Sequence, residues 1–514
     1  MMQDPSNLLV LALVLPVAGL LLTLVVGGRH AGRIALWLMP VGLAVAVMLV
    51  VSVIRADEAL VYDLGGWMPP LGVALRADGL SAIFILTTAV VIGATGIFAR
   101  AEFRTPPGQP ETRSSLTFWA LLLALWGALN LVFLSYDLFS LFVALELLTF
   151  SAIPLVCLDG RAGSLAAGLR YLLFALFGSV LYLLGAVLLY GAYGTLDIGL
   201  LSGLVRPDPL AWAAAALMTV GLMAKTALFP LHFWLPPAHA GAPAAASAVL
   251  SALVIKASLF LIVRLWFDVM PALMNPTAAQ VLATLGAAAI LFGSVLALRQ
   301  ARLKLLIAYS TVAQIGYLFL IFPLIVRPES VSFAAADLST ELVATVVSTS
   351  AWSGGVLQAV SHAFAKAAMF MAAGLIAQSL GHDRIAALSS IGRALPITVL
   401  AFALAGMSLM GLPPSGGFAA KWLLLTATIE TGQWWWALVI LGGGMLTGGY
   451  LFRVLAPALF GSRESVPLRI PVTRYRELVV LALALCSVLL GFVRLGAFDL
   501  VQIGRLTKAG IGLP

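Results

Sequence analysis

The chain has 514 residues, of which 62% are apolar and only 10% are charged, and its mean hydropathy is +1.08. Soluble domains carry about 25% charged residues, so this composition cannot cover a water-facing surface; it also excludes disordered, collagen-like and disulfide-scaffold chains. The formal net charge of +8 therefore raises the question of which membrane side the cations occupy, and does not point to nucleic acid.

Fourteen apolar stretches follow one another, each matching the roughly 20 residues a helix needs to cross the hydrocarbon. Their approximate limits are 7–27, 32–54, 78–99, 115–134, 137–158, 165–190, 211–231, 243–266, 276–298, 304–326, 352–378, 394–412 with 415–430, 435–459 and 477–496. The expected fold is an all-α polytopic membrane protein with no need of strands and no room for a soluble domain between spans. No basic segment precedes the first stretch, which reads as a spanning helix and not as a cleaved signal. Cys157 and Cys486 lack CxxC spacing and imply neither a metal site nor a disulfide. Connections after odd-numbered spans hold about twice as many Lys and Arg as the others and the tails together. The positive-inside rule then puts the odd connections in the cytoplasm and both termini outside.

Four lysines escape this loop count and fall inside apolar segments: Lys225, Lys256, Lys366 and Lys421. Among the acids, Glu146 is the one clear intramembrane carboxylate, while Asp137 opens the same helix at its outer edge. Ionisable groups at membrane depth are costly and mark ion pathways, although an ion pair that only staples helices together would leave the same trace. Lys225 precedes Pro230, Pro236 and Pro237, which interrupt the helical pattern. Lys421 follows Pro413, Pro414, Gly416 and Gly417, which do the same. Broken helices belong beside hydrated cavities, and a pair of them in corresponding halves suggests an inverted repeat. Lys256 is mid-span, too deep to snorkel easily. His362 and Lys366 share a helix face at i, i+4. His232 and His239 read equally well as proton relays and as hydrogen-bonding residues. A row of such groups joined by water is a proton wire, in which Glu146 holds a loading lysine charged until the pair separates. Nothing in the chain suggests a hydrolytic triad, a phosphate loop, a haem ligand set or a metal cage, so no cofactor is expected.

The strings YDLFSLFVALELL, GTLDIGLL, KTALFPLHFWLPPAHAGAP, LIAYSTVAQIGY, SHAFAKAAMF and GLPPSGGFAAKW occur in this order. Together they resemble the antiporter-like, proton-translocating membrane subunits shared by respiratory complex I, Mrp-type sodium/proton antiporters and group 4 membrane-bound hydrogenases. The resemblance implies two inverted five-helix repeats with discontinuous seventh and twelfth helices. The implied divisions are 1–114 (helices 1–3), 115–266 (helices 4–8), 276–460 (helices 9–13) and 461–514 (helix 14 and tail). It also implies a Glu146–Lys225 pair and pathway roles for Lys256, His362, Lys366 and Lys421. The chain departs from the family pattern at Arg302, Leu305 and Ser361; the first two lie at the cytoplasmic edge, where they alter a contact and leave the central wire intact.

The leading expectation is a proton-conducting subunit of a multisubunit complex in a bacterial inner membrane. Its partners would be other membrane subunits, the lipid bilayer, protons and, as a candidate coupling ion, Na+. The stretch GGWMPPLGVALRADGLS favours the D-type subunit of an Mrp-like antiporter. A proton-pumping subunit of complex I or of a membrane-bound hydrogenase is the alternative, making the chain part of a redox-driven translocase without a catalytic site of its own. From other classes come a non-transporting scaffold and a stand-alone solute carrier.

Overall fold

The computed structural model describes residues 5–104, 112–326, 338–460, 467–493 and 495–505. Of the loop cations behind the topology argument, Arg327, Arg463, Arg494 and Lys508 lie outside the described residues. The first six spans are α1 (Asn7–Val26), α2 (Gly28–Ala56), α3 (Gly79–Ala99), α4 (Arg113–Leu134), α5 (Leu138–Val156) and α6 (Ala162–Tyr193). The seventh has two pieces, α7a (Pro209–Thr226) and α7b (Leu235–Gly241). Next come α8 (Ala244–Val269), α9 (Pro276–Arg299) and α10 (Leu303–Ile325), and then α11 (Leu338–Leu380). The twelfth span is again double, α12a (Pro396–Met410) and α12b (Gly416–Glu430), and α13 (Trp435–Phe460) and α14 (Arg474–Leu489) complete the set.

Burial sorts these helices into a centre and a rim. In the most apolar stretch of α8 every residue is buried, against 28% for α1 and 33% for α13. The helices α8, α10 and α11 thus form the core of the bundle, and each carries polar groups that would be expensive in lipid. Close approach is set by small residues. A Cβ added to Gly221 of α7a would lie 2.3 Å from the Gly178 carbonyl oxygen of α6, so these two backbones nearly touch.

One expectation needs correction. The connection between α2 and α3 contains an antiparallel hairpin, β1 (Leu60–Asp63) and β2 (Ala74–Ala77). A connection this long, lying against helix ends, must satisfy its backbone groups, and pairing with itself does so. A second correction follows at the same end of the bundle. Arg264 is not a loop cation, and Glu146 is not the sole interior acid. Arg264 is buried in α8 and donates to Asp268 Oδ2 at 2.6 Å and to Asp78 Oδ1 at 2.6 Å. The Asp78 oxygen also caps α3 by accepting from the Ser81 amide at 2.9 Å. Arg76 of β2 donates to the Tyr136 hydroxyl and to the Gly504 carbonyl. The segment after α14 closes this end. Ile503 accepts from the Gly79 amide at 3.0 Å, Val501 accepts from the Trp352 indole at 2.9 Å, and Gln502 donates to Ser353 Oγ at 3.3 Å.

Four substitutions have expected outcomes. Gly221→Ala, which pushes a methyl into the Gly178 carbonyl, lowers the unfolding midpoint of the detergent-solubilised protein by the equivalent of about 1–3 kcal/mol. Gly442→Ala, where an added Cβ meets nothing within 4 Å, does not lower that midpoint. Arg264→Met strands two buried carboxylates and costs about 3–5 kcal/mol, and Asp78→Asn costs about 1.5–3 kcal/mol.

Candidate functional site

The residues singled out in the sequence are brought together along the interior of the bundle. α5 starts at Asp137, whose Oδ1 accepts from the Phe139 and Ser140 amides at 2.9 Å; that residue is a helix cap. About two and a half turns on, Glu146 faces α7a. Its Oε1 accepts from Lys225 Nζ at 3.2 Å and from the Ser179 hydroxyl of α6. Lys225 also donates to Thr149 Oγ1 at 3.0 Å, and its side chain is 5% exposed. A salt bridge in this setting gains from low dielectric only because its remaining hydrogen bonds are also made.

The break after Lys225 is built from the proline pattern. α7a ends at Thr226, Ala227 adopts a left-handed conformation (φ 57°), and Pro230 lies in the gap with no amide to give. Pro236 and Pro237 sit in the first turn of α7b, where proline is tolerated. The carbonyls freed by the break find protein donors: the Trp234 indole donates to Ala224 O at 2.8 Å and the Leu228 amide to Met223 O at 3.1 Å.

Lys256 follows a π-helical turn, Leu250–Val254, and its ammonium donates to the Ser251 carbonyl of that turn at 2.8 Å. The Ser251 hydroxyl meets Thr311 Oγ1 of α10 at 3.0 Å. The next residue back, Ser310, accepts from Lys366 of α11, which also donates to Ile307 O at 3.0 Å. Lys256 and Lys366 thus border one polar patch made of Ser251, Thr311 and Ser310, in which Thr311 Oγ1 and Lys366 Nζ share the Ile307 carbonyl, each at 3.0 Å. On α11, Gln358 donates to Gln314 at 3.0 Å, and Gln314 donates to Leu409 O at 3.3 Å. Lys421 shares that acceptor at 2.8 Å and takes Met410 O at 3.1 Å. Its ammonium also sits 4.3 Å from the centre of the Tyr317 ring, a cation–π contact.

The second break lies at Gly411–Ser415, between α12a and α12b, and holds Pro413 and Pro414. Gly416 and Gly417, expected within the break, form the first turn of α12b instead, where Ser415 caps the helix by accepting from the Phe418 amide at 3.1 Å. A Cβ on Gly417 would fall 1.8 Å from Ser408 O, so this glycine serves close packing across the gap. Ser361 reaches the same place, its hydroxyl 2.8 Å from that of Ser408.

His362 and His239 are both buried, and among the described residues their ring nitrogens make no hydrogen bond. His362 lies one turn before Lys366 on α11, and His239 stacks on Phe370 of the same helix with ring centres 5.1 Å apart. His232 is different: it stacks on Phe229 and Phe233, with ring centres 5.6 and 4.7 Å away, and has no bond to the row. At the edge, Arg302 donates to Asp383 Oδ1 at 2.9 Å, so that departure from the family pattern makes an internal contact. Sequence reading missed Thr149, Ser179, Ser251, Ser310, Thr311, Gln314 and Gln358, since hydroxyl and amide residues are common in spanning helices. Thr149, one turn beyond Glu146, was the one with a usable spacing signal.

Removing the donor that closes the first break tests its construction. Trp234→Phe leaves the Ala224 carbonyl with only the Ala227 amide, at 3.3 Å, which costs about 0.5–1.5 kcal/mol and is read as a lower unfolding midpoint.

The transmembrane family described as NADH:quinone oxidoreductase/Mrp antiporter matches residues 135–336 and 330–447. NADH-quinone oxidoreductase subunit N of Desulforudis audaxviator is 34% identical over 88% of this chain and 87% of its own length. The D-type subunit of the Na(+)/H(+) antiporter of Alkalihalophilus pseudofirmus is 27% identical over 89% and 88%. Among solved structures, a chain of the Mrp complex from Dietzia sp. superposes with a TM-score of 0.85 at 23% identity, covering 97% of this chain and 96% of that one. A chain of respiratory complex I from Thermus thermophilus superposes with a TM-score of 0.70 at 24% identity, covering 96% and 98%. With the ordered breaks and the row of buried lysines in place, the chain is a multi-pass membrane protein that belongs to the NADH:quinone oxidoreductase/Mrp antiporter family.

Proposed function

We propose that this chain is a proton-conducting subunit of a multisubunit complex in a bacterial inner membrane, most closely the D-type subunit of an Mrp-like cation/proton antiporter. The observation that carries the reading is the Glu146–Lys225 pair at 3.2 Å, next to a row of buried lysines set among hydroxyls and amides. In this reading Glu146 keeps Lys225 protonated while paired. When the pair separates, the lysine loses its stabilising partner and passes its proton toward Lys256. The row to Lys366 and on to Lys421 carries it further, with His362 and His239 as intermediate acceptors and His232 outside the path. Among the described residues no hydrogen bond joins the Lys225 pair to Lys256, or Lys366 to the group of Gln358, Gln314 and Lys421, and at these steps water or a side-chain movement completes the path. The two broken spans then belong to inverted repeats at 115–266 and 276–460, flanked by 1–114 and 461–514. The odd connections face the cytoplasm and both termini face outward. The coupled ion is the proton, exchanged in an Mrp-like setting for Na+.

A second reading has its own support. Identity is higher to the NADH-quinone oxidoreductase relative, 34%, than to the antiporter relative, 27%, and this favours a subunit of a redox-driven pump. The chains that copurify separate the two: redox subunits mean a pump of the complex I or hydrogenase type, and small membrane subunits alone mean an antiporter.

The shared claim is tested with Glu146→Gln and Lys225→Ala in membrane vesicles. Each variant assembles with its partner subunits, and proton transport falls by about 100-fold, as expected for loss of a proton-transfer group. Full transport by both variants would leave the scaffold reading standing and the wire refuted.

A further inference from the structure

We infer that the face formed by α2, α3 and α14 holds one anionic phospholipid, with its headgroup on Arg100 and Arg104. Two adjoining spaces make the site. The first is an apolar groove of about 420 Å³ lined by Met39 and Leu43 of α2, Gly93 and Ile97 of α3, and Val479 and Leu483 of α14. The second, about 490 Å³, is bounded by Arg100, Arg104, Thr473 and Tyr475. Ile97 lines both, so the apolar groove runs directly into the arginine pocket.

The dimensions select the occupant. On α3 the groove extends from Ala89 to Ile97, about 12 Å at 1.5 Å per residue. Half of the roughly 30 Å hydrocarbon layer is about 15 Å, so the groove serves one leaflet, starting at the end where α3 stops and the arginines begin. A spanning helix of a neighbour would need a groove twice as long. Charge agrees. Neither the Arg100 nor the Arg104 guanidinium is paired among the described residues, and both are exposed. The nearby carboxylate, Glu102, lies 3.6 Å from Arg476 and does not neutralise them. Basic pockets at the cytoplasmic ends of spanning helices suit phosphate headgroups, and Arg offers a bidentate fork for them. Gly93 keeps the groove open, because a Cβ built there meets nothing within 4 Å.

Native mass spectrometry of the intact purified complex tests this, with phosphatidylglycerol, phosphatidylcholine and glycerol phosphate as probes. The wild type is expected to retain one phosphatidylglycerol in preference to phosphatidylcholine, with no competition from glycerol phosphate. Arg100→Gln with Arg104→Gln weakens its retention by about 30-fold, the product of two juxtamembrane cations. Gly93→Leu fills the groove without touching the core and abolishes retention of both lipids, while its unfolding midpoint stays that of the wild type. Equal binding by wild type and variants, equal binding of the two lipids, or displacement by glycerol phosphate would overturn the proposal. So would cross-linking of Gly93→Cys to a neighbouring subunit in the complex, which would mean that a protein helix covers this face.

Discussion

An ammonium ion buried in hydrocarbon must be solvated by something, and here the backbone does it. Lys256 takes the Ser251 carbonyl from a π-helical turn, Lys421 takes the last carbonyls of α12a, and Lys366 takes Ile307 O. Two of the three are matched to an irregularity, a π-helical turn for Lys256 and a helix end for Lys421, whereas Lys366 takes a carbonyl within the regular α10. A break or a π-turn exposes a carbonyl, and the carbonyl end of a helix carries the negative pole of its dipole. Lys421 sits at such a pole. Lys225 is the exception, satisfied by a carboxylate and a hydroxyl.

That difference separates the row into two kinds of site. A lysine held by neutral carbonyls can exist with or without its proton, since no opposite charge is stranded when the proton leaves. A lysine held by Glu146 cannot discharge so cheaply, because the carboxylate would be left buried and alone. The energetic asymmetry along the row follows from what each break in the chain offers its cation, before any motion is considered.

Much of this was legible in the sequence, because the signals were rare ones. Four lysines and a glutamate in apolar segments and two Pro/Gly interruptions stand out against a background of Leu, Ala and Val. The polar partners of the lysines did not stand out, because a serine or threonine in a spanning helix is ordinary and becomes meaningful only when a neighbour places a partner opposite it. Arg264 was misplaced for a related reason. Its position near the end of α8 looks like a loop edge, and its partner Asp78 is 186 residues away, at a separation no spacing rule covers. The spacing of Asp268 from Arg264 at i, i+4 was the available clue. The β-hairpin was hidden because its strands are only 4 residues each and the connection is flanked by spans that dominate any reading of hydropathy.

The segment after α14 gives the molecule an order of assembly. Residues 501–504 close hydrogen bonds to Gly79, Arg76 and Trp352, so this end of the bundle, at Gly79 of α3 and Trp352 of α11, lacks its final partners until that part of the chain has been made. During synthesis the early spans wait with the Asp78–Arg264 cluster incompletely covered, and a chain cut short before residue 501 would leave this end of the bundle unsealed.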